Sequence, residues 1–426
     1  MHIERIGELG DAPAVLLAVA DLSPAALIGD WFGSRAVIAP RLTAAPVETR
    51  DVFATTPSTA AADGRGGGAV GGGAVGGGWM GYLSYPDAGA EGKPPRIPVA
   101  AGGWADCVLR QDLDGIWWYE SISGAPKPSW LTRALARQPN LTGCRVDWGV
   151  PDRDTHRAGV LACLEAIAAG EVYQACVCAQ ITGAVIGSPV EFFAEAVART
   201  APARAAFVSG AWGAVASLSP ELFMRRRGET VTSSPIKGTV PWYVAPTELL
   251  HSVKDVAENI MIVDLVRNDL GRVAATGSVI TPELLAVRPA PGVWHLVSTV
   301  SARVSEDVPI ATLLDATFPP ASVTGTPKTR ARQLLSQWEP YTRGIFCGTI
   351  GLASPTAGTE LNVAIRTVEF DAHGGAVLGV GGGITADSDP DCEWNECLHK
   401  TAPIVGIGQR DSSFASFASF ARSTAS

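Results

Sequence analysis

Residues 234–272 read SPIKGTVPWYVAPTELLHSVKDVAENIMIVDLVRNDLGR, and the rest of the chain is best read outward from them. Pro235 and Pro241 bracket the first part and Gly238 breaks it, which predicts an extended segment running into a turn. Lys237 is the only charge between Ser234 and Thr239. A lone lysine beside a glycine and between apolar neighbours is a candidate for partial desolvation, which lowers an amine's pKa and leaves it nucleophilic. The second part is predicted helical. Leu249, Val253, Val256, Ile260 and Val263 recur at steps of three and four, which assigns one stripe to a core. Asp255 and Glu258 stand three apart and share a helix face. A lysine on a turn followed by acids on a helix suits anionic-substrate chemistry assisted by a divalent metal.

The chain has 426 residues, 46% of them hydrophobic and 18% charged, with a net charge of -9. That composition fits a folded enzyme and not a disordered chain. The acidic balance, with no long Lys/Arg cluster, speaks against nucleic-acid binding. Length alone allows two or three domains or one large α/β unit. The eight cysteines are scattered with no CxxC pair, as expected of reduced thiols. Met1–Arg5 carries two charges and does not open a signal peptide, and the apolar run 14–20 is too short to span a bilayer. The expectation is a cytoplasmic protein with no membrane partner.

Residues 1–150 are expected to form an N-terminal subdomain of strands and short helices. It contains a Gly-rich repeat at 63–78, DGRGGGAVGGGAVGGG, which reads as a surface loop and not a phosphate loop because no Lys-Ser/Thr follows. Residues 151–410 form the candidate catalytic domain, and 411–426, with Phe at every third position, read as a frayed tail. In the second unit a helix is predicted from His156 to Gly170, and a strand over 171–180 in which Gln174 either lines a site or faces solvent. Further strands are predicted over 206–218, 294–300 with His295 inside, 344–351, and 361–368 with Arg366 as its single cation. The loop 318–328 opens a helix through Trp338. The GVGGGIT run at 379–385 lets the backbone approach something closely. Asp389 and Pro390 are a helix start, and Glu393, Glu396 and Lys400 then share one face.

Two helices thus offer acidic pairs, Asp255/Glu258 and Glu393/Glu396. Hard carboxylate oxygens suit Mg²⁺, although acidic pairs at this spacing also serve as solvated helix faces. His295 fits a core histidine as well as a catalyst. Arg366 requires an anionic partner if it is buried.

Eight ordered blocks carry a resemblance: SPELF, SSPIKGT, VKDVAENIMIVDLVRNDLGRV, HLVS, SVTGTPKTRA, RGIFCGTIG, LNVAIRTV and GVGGGITADSDPDCEWNECLHK. Together they closely resemble the chorismate-utilising enzymes, a family that includes anthranilate, aminodeoxychorismate, isochorismate and salicylate synthases. The likeness covers residues 156–408, and is loose before them. It implies a large α/β (α+β) fold with β-sheets packed face to face and helices outside. It also implies that Glu258 and Glu396 hold Mg²⁺ on the ring carboxylate of chorismate, with Glu393 as a water-mediated ligand and Asp255 beside them. Glu221 is then the general acid for the departing 4-hydroxyl. Arg366 pairs with the enolpyruvyl carboxylate, Lys400 and the amides of Gly381, Gly382 and Gly383 hold anionic oxygen, His295 sits by the ring and Thr239 lines the pocket.

Within the family, isochorismate and salicylate synthases resemble one another in a water-activating lysine where this chain has Gln174, so water addition is disfavoured. PIKGT, with Lys237, is shared with aminodeoxychorismate synthases, whereas anthranilate synthases typically have alanine there. The resemblance therefore implies amination of chorismate to 4-amino-4-deoxychorismate on the way to 4-aminobenzoate and folate. Conversion to anthranilate plus pyruvate is the rival, isochorismate or salicylate synthesis a weaker one, and a non-catalytic binding subunit a third. No cysteine stands in a Gly-x-Cys-x-Gly turn, which implies ammonia from a separate glutamine amidotransferase subunit. Val240 and Trp242 stand where relatives usually carry arginine, and Phe346 replaces a common tyrosine in the pocket.

Overall fold

The computed structural model describes residues 1–55, 73–87 and 95–408. The Gly-rich repeat lies outside them except for 73–78, and the tail 411–426 lies wholly outside. Among the described residues the strands form two large antiparallel sheets. Strand Ala25–Trp31 pairs with Arg204–Gly210, and Gly78–Leu83 pairs with Thr349–Ser354. Strands from before residue 150 are therefore built into both sheets, beside strands from much later in the chain. The layer between the sheets is apolar, with Leu27, Val37 and Val208 of one facing Met80, Tyr82 and Leu352 of the other. Helices cover the outer faces, as Phe192, Phe193 and Val197 do against Phe207 and Phe370. This is the mixed α/β architecture that the resemblance implies.

The elements that carry the site follow from local sequence. Helix Pro390–Val405 starts where Asp389 accepts hydrogen bonds from the amides of Asp391 (3.0 Å) and Cys392 (2.9 Å), with proline at its first turn. Helix Val253–Gly271 is capped by Ser252, which accepts from the Asp255 amide at 3.2 Å. Strand Gly375–Ile384 lies against Gln174–Gly187, placing Gly381, Gly382 and Gly383 opposite Cys178, Val177 and Cys176. All eight cysteines are free of disulfides.

Several expectations need correction. The predicted stripe matches the core face only at Leu249, just before helix Val253–Gly271, and at Val263. Val253 and Ile260 are exposed, and the buried face runs through Glu258, Asn259, Ile262, Val263, Leu265, Val266, Asp269 and Leu270. Two stripes satisfied the same 3.6-residue period, and the one with more polar residues is the buried one. Residues 206–218 are a hairpin, Arg204–Gly210 and Gly213–Ser219, and not one strand. The turn returns through Gly213 at φ +126°, where a Cβ would lie 2.0 Å from the Phe370 carbonyl oxygen. Residues 344–348 are turns that precede strand Thr349–Ser354. The predicted strand 361–368 is interrupted between Gly358–Asn362 and Thr367–Asp371, and Arg366 stands in that break at φ +52°.

A buried arginine fixes the strand behind the site. Arg343 donates to both oxygens of Glu339 (2.8 and 2.7 Å), to the Val323 carbonyl (2.9 Å) and to the Cys176 carbonyl (2.6 Å). Glu339 in turn accepts from the Cys178 amide at 3.1 Å, and the Tyr341 hydroxyl donates to the Cys178 carbonyl. Arg343→Ala leaves a carboxylate and two carbonyls buried without their donor. The expected cost is about 3–5 kcal/mol in urea unfolding. A loss below about 1 kcal/mol, the size of an exposed ion pair, contradicts this assignment.

Candidate active site

The glycine strand forms the floor on which the site residues converge. A Cβ at Gly383 would lie 3.1 Å from Lys237 Nζ, 3.5 Å from Glu258 Oε2 and 3.6 Å from Gln174 Oε1. A Cβ at Gly382 would lie 3.0 Å from Glu393 Oε2 and 3.9 Å from Lys400 Nζ. Neither glycine has a positive φ, so what these positions supply is space and not an unusual backbone. Five of the polar side chains read from the sequence meet over two residues of one strand.

Three acids there each have a lysine partner. Lys237 Nζ stands 3.8 Å from Glu258, Lys254 Nζ 3.1 Å from Glu393, and Lys400 Nζ 2.7 Å from Glu396. Lys400 also donates to the Gly381 carbonyl at 3.0 Å, tying its helix to the glycine strand. Glu393 accepts from Ser388 Oγ at 2.6 Å through the same oxygen that meets Lys254, and its other oxygen faces Gly382. Burial raises the Glu258 carboxyl above its usual range; Lys237 and Lys254 oppose this, while Asp255 and Glu393 add to it. Burial also acts to raise Glu396, but Lys400, Lys254 and Lys237 outweigh it and hold that carboxyl low. Lys237 is mostly buried, as expected, but its neighbour is a carboxylate and its setting is not simply apolar.

A second group lies around Glu221. This residue is buried, and burial pushes its carboxyl up to about 7 against the pull of a Ser322 hydrogen bond and the charges of Lys237 and Arg366. His295 is also buried; desolvation first, then Arg366, push its imidazole down to about 4, so it is neutral at pH 7. Its Nδ1 meets Thr239 Oγ1 at 2.8 Å. Arg366, lifted out of the strand by its left-handed backbone, thus acts on both Glu221 and His295. Gln174 faces the site and not solvent: it is 2% exposed, and its Oε1 is buried without a hydrogen-bond partner among the described residues.

Two predicted residues stand apart. Phe346 packs on Gly379, where a Cβ would lie 2.2 Å from its ring, and belongs to the apolar core with Cys176 and Cys178. Asp255 packs on Gly238, one turn before Glu258. The sequence reading missed Lys254, Ser388 and Ser322. Lys254 was legible as the residue one helical turn before Glu258; Ser322 and Ser388 are loop residues with no spacing to mark them. Among the described residues no group of three or more His, Cys, Asp and Glu is close enough to hold a metal ion by itself.

The Glu221 carboxyl gives stability a pH dependence. In the folded chain it keeps its proton to about 7, whereas the ordinary value is 4.5. Between those values the folded state binds more protons than the unfolded, so this group's contribution to stability falls as pH rises through the window. Glu221→Gln is expected to flatten that decline, by on the order of 3 kcal/mol across the window, in urea unfolding at the two ends. An unchanged slope contradicts a buried, proton-retaining Glu221.

With this geometry in view, comparison with known proteins is informative. The family profile described as chorismate binding enzyme matches residues 48–406. Aminodeoxychorismate synthase component 1 of Klebsiella aerogenes is 40% identical over 243 residues, 55% of this chain and 54% of the relative. The protein of the same name from Escherichia coli K12 is 36% identical over 295 residues, 68% of this chain and 62% of the relative. The chain thus spans between about half and three fifths of these relatives' length. The crystal structure of anthranilate synthase component I from Streptococcus pneumoniae superposes with a TM-score of 0.67 at 25% identity, covering 78% of this chain and 81% of that one. The menaquinone-specific isochorismate synthase of Escherichia coli, at 18% identity, has a TM-score of 0.69, covers 96% and 94% of the two chains, and establishes the likeness of fold. Since the profile takes in most of the sequence and both sheets, this protein belongs to the chorismate-binding enzymes.

Proposed function

We propose that the chain is the chorismate-aminating component of an aminodeoxychorismate synthase, a transferase that forms 4-amino-4-deoxychorismate from chorismate and ammonia for 4-aminobenzoate and folate synthesis. The observation that carries this reading is a primary amine, Lys237, close enough for its charge to act on a buried acid, Glu221, that keeps its proton near neutral pH.

In this reading the Lys237 amine, once it has given up its proton, forms a bond to ring carbon C2. The double bonds shift, the C4–O bond breaks, and the hydroxyl leaves as water with the proton of Glu221. Ammonia then bonds to C4, the C2–N bond breaks, Lys237 departs as the amine, and the proton shed by the new C4 ammonium returns to Glu221. Arg366 pairs with the enolpyruvyl carboxylate, and neutral His295, held through Thr239, sits by the ring. The amides of Gly381–Gly383 and Lys400 favour anionic oxygen. Gln174 Oε1, which has no partner among the described residues, accepts a hydrogen bond from incoming ammonia, where a lysine would have activated water.

Glu258 and Glu396 would hold Mg²⁺, with Glu393 through water and Asp255 beside them. The donor set fits: all are carboxylate oxygens, carried by two helices, and each of the three glutamates stands beside a lysine amine that a divalent ion can displace. Mg²⁺ keeps waters and takes contacts from its substrate, so such a site would not need a cage of protein ligands. When bound, the ion withdraws electron density through the ring carboxylate. The relatives are named component 1, which implies a second component. A separate glutamine amidotransferase subunit is the proposed ammonia source. Among the described residues no helix is long and apolar enough to cross a membrane, and the cytoplasm is the proposed location.

The test is product analysis with chorismate, Mg²⁺ and ammonium salt. The expected product is 4-amino-4-deoxychorismate without pyruvate, lost by at least about 100-fold in Lys237→Ala. Anthranilate plus pyruvate from the wild type contradicts the reading and installs the anthranilate synthase one. Chelation of Mg²⁺ is expected to stop the reaction, and Glu258→Gln to raise the Mg²⁺ needed for half-maximal rate by about 10-fold or more. The rate should also fall as pH rises past about 7, where Glu221 loses its proton; a rate that climbs steadily past that point removes Glu221 as the acid.

A further inference from the structure

We propose that Asn259 and Ser298 form a positioning pair that sets where Lys237 and Glu258 stand relative to each other. Asn259 follows Glu258 on helix Val253–Gly271 and is 1% exposed; Ser298 is fully buried on strand Val293–Arg303, three residues beyond His295. Asn259 Nδ2 donates to the Leu296 carbonyl at 3.1 Å, and Ser298 Oγ donates to Asn259 Oδ1 at 2.5 Å. One amide side chain therefore bonds the glutamate-bearing helix to the histidine-bearing strand at two points.

Ser298 extends the connection in two further directions. Its backbone amide donates to the Pro235 carbonyl at 3.2 Å, two residues before Lys237. Its Oγ accepts from the Leu285 amide at 2.9 Å, and Leu285 holds φ +56° in the irregular strand Ile280–Ala290. The hydroxyl is thus used as both donor and acceptor, and the buried amide as both donor and acceptor. A pair bonded on both sides in this way resists small displacements, because each shift leaves a polar atom buried without a partner. Helix, histidine strand and lysine segment are fixed to one another through it. A buried Asn beside a metal-binding Glu acts on the site as an outer-shell group does, through the orientation of the ligand. Neither residue touches substrate; both act through Glu258, Lys237 and His295.

The inference rests on the role proposed for Glu258 only in its Mg²⁺ readout, so two measurements are paired. The first is the rate at which Lys237 is modified by trinitrobenzenesulfonate, followed by peptide mass spectrometry. It reads the Lys237–Glu258 pairing whatever the enzyme's chemistry. The second is the Mg²⁺ concentration for half-maximal turnover of chorismate. Asn259→Ala and the milder Ser298→Ala are compared with Ser298→Thr, which keeps the hydroxyl. The alanine variants are expected to change Lys237 labelling severalfold and to raise the Mg²⁺ midpoint roughly 10-fold, with Ser298→Thr near wild type. Folded alanine variants with wild-type labelling overturn the proposal, since a merely structural pair lowers stability without moving the lysine. Altered labelling in a protein whose turnover ignores Mg²⁺ leaves the positioning role standing and refutes the metal reading instead.

Discussion

Lys237 and Glu258 face one another across 3.8 Å in a mostly buried setting, and the site depends on keeping that pair and its neighbours balanced. Charged groups withdrawn from water are tolerated only when opposite charge and hydrogen bonds replace the lost hydration. Glu258 meets this condition through Lys237, Glu393 through Lys254 and Ser388, and Glu221 differently, by remaining protonated. The outcome is a cleft in which a primary amine, a proton donor and a set of carboxylates lie close together without neutralising each other's chemistry. The glycine strand makes this possible by clearing the volume into which these groups point.

The fold serves that crowding by fixing the elements from behind. Arg343 and Glu339 hold the strand that carries Gln174. Lys400 attaches the helix of Glu393 and Glu396 to the glycine strand, and Asn259 attaches the helix of Glu258 to the strand of His295. Each connection is a side chain bonding to backbone or to another buried side chain, which fixes direction as well as distance. Preorganisation of this kind holds a lysine and a glutamic acid in a fixed relation to each other.

Much of this was legible in the residues themselves. Asp389-Pro390 announces its helix, and Glu393, Glu396 and Lys400 follow at spacings that put them on one face whatever the tertiary context. The run of glycines at 381–383 announces close approach. Less was legible where tertiary contacts decide. The period of helix Val253–Gly271 fits two stripes, and the polar pair Glu258-Asn259 is buried because partners from other elements satisfy it. Arg366 looked like a strand residue because nothing in LNVAIRTV signals a left-handed backbone at arginine. The interleaving of early and late strands could not be read at all, since pairing of Ala25–Trp31 with Arg204–Gly210 depends on contacts far apart in sequence. The loops bearing Ser322 and Ser388 have no periodicity to betray what their hydroxyls bind.

The central claim is that Lys237 is the nucleophile. The most direct test incubates the protein with chorismate and Mg²⁺ in the absence of ammonia, then maps the mass of every lysine-containing peptide. One adduct is expected, on Lys237, with the mass of chorismate less one water, which disappears on addition of ammonium as 4-amino-4-deoxychorismate forms. Formation of that product with Lys237 never modified, or with the adduct on another residue, would contradict it.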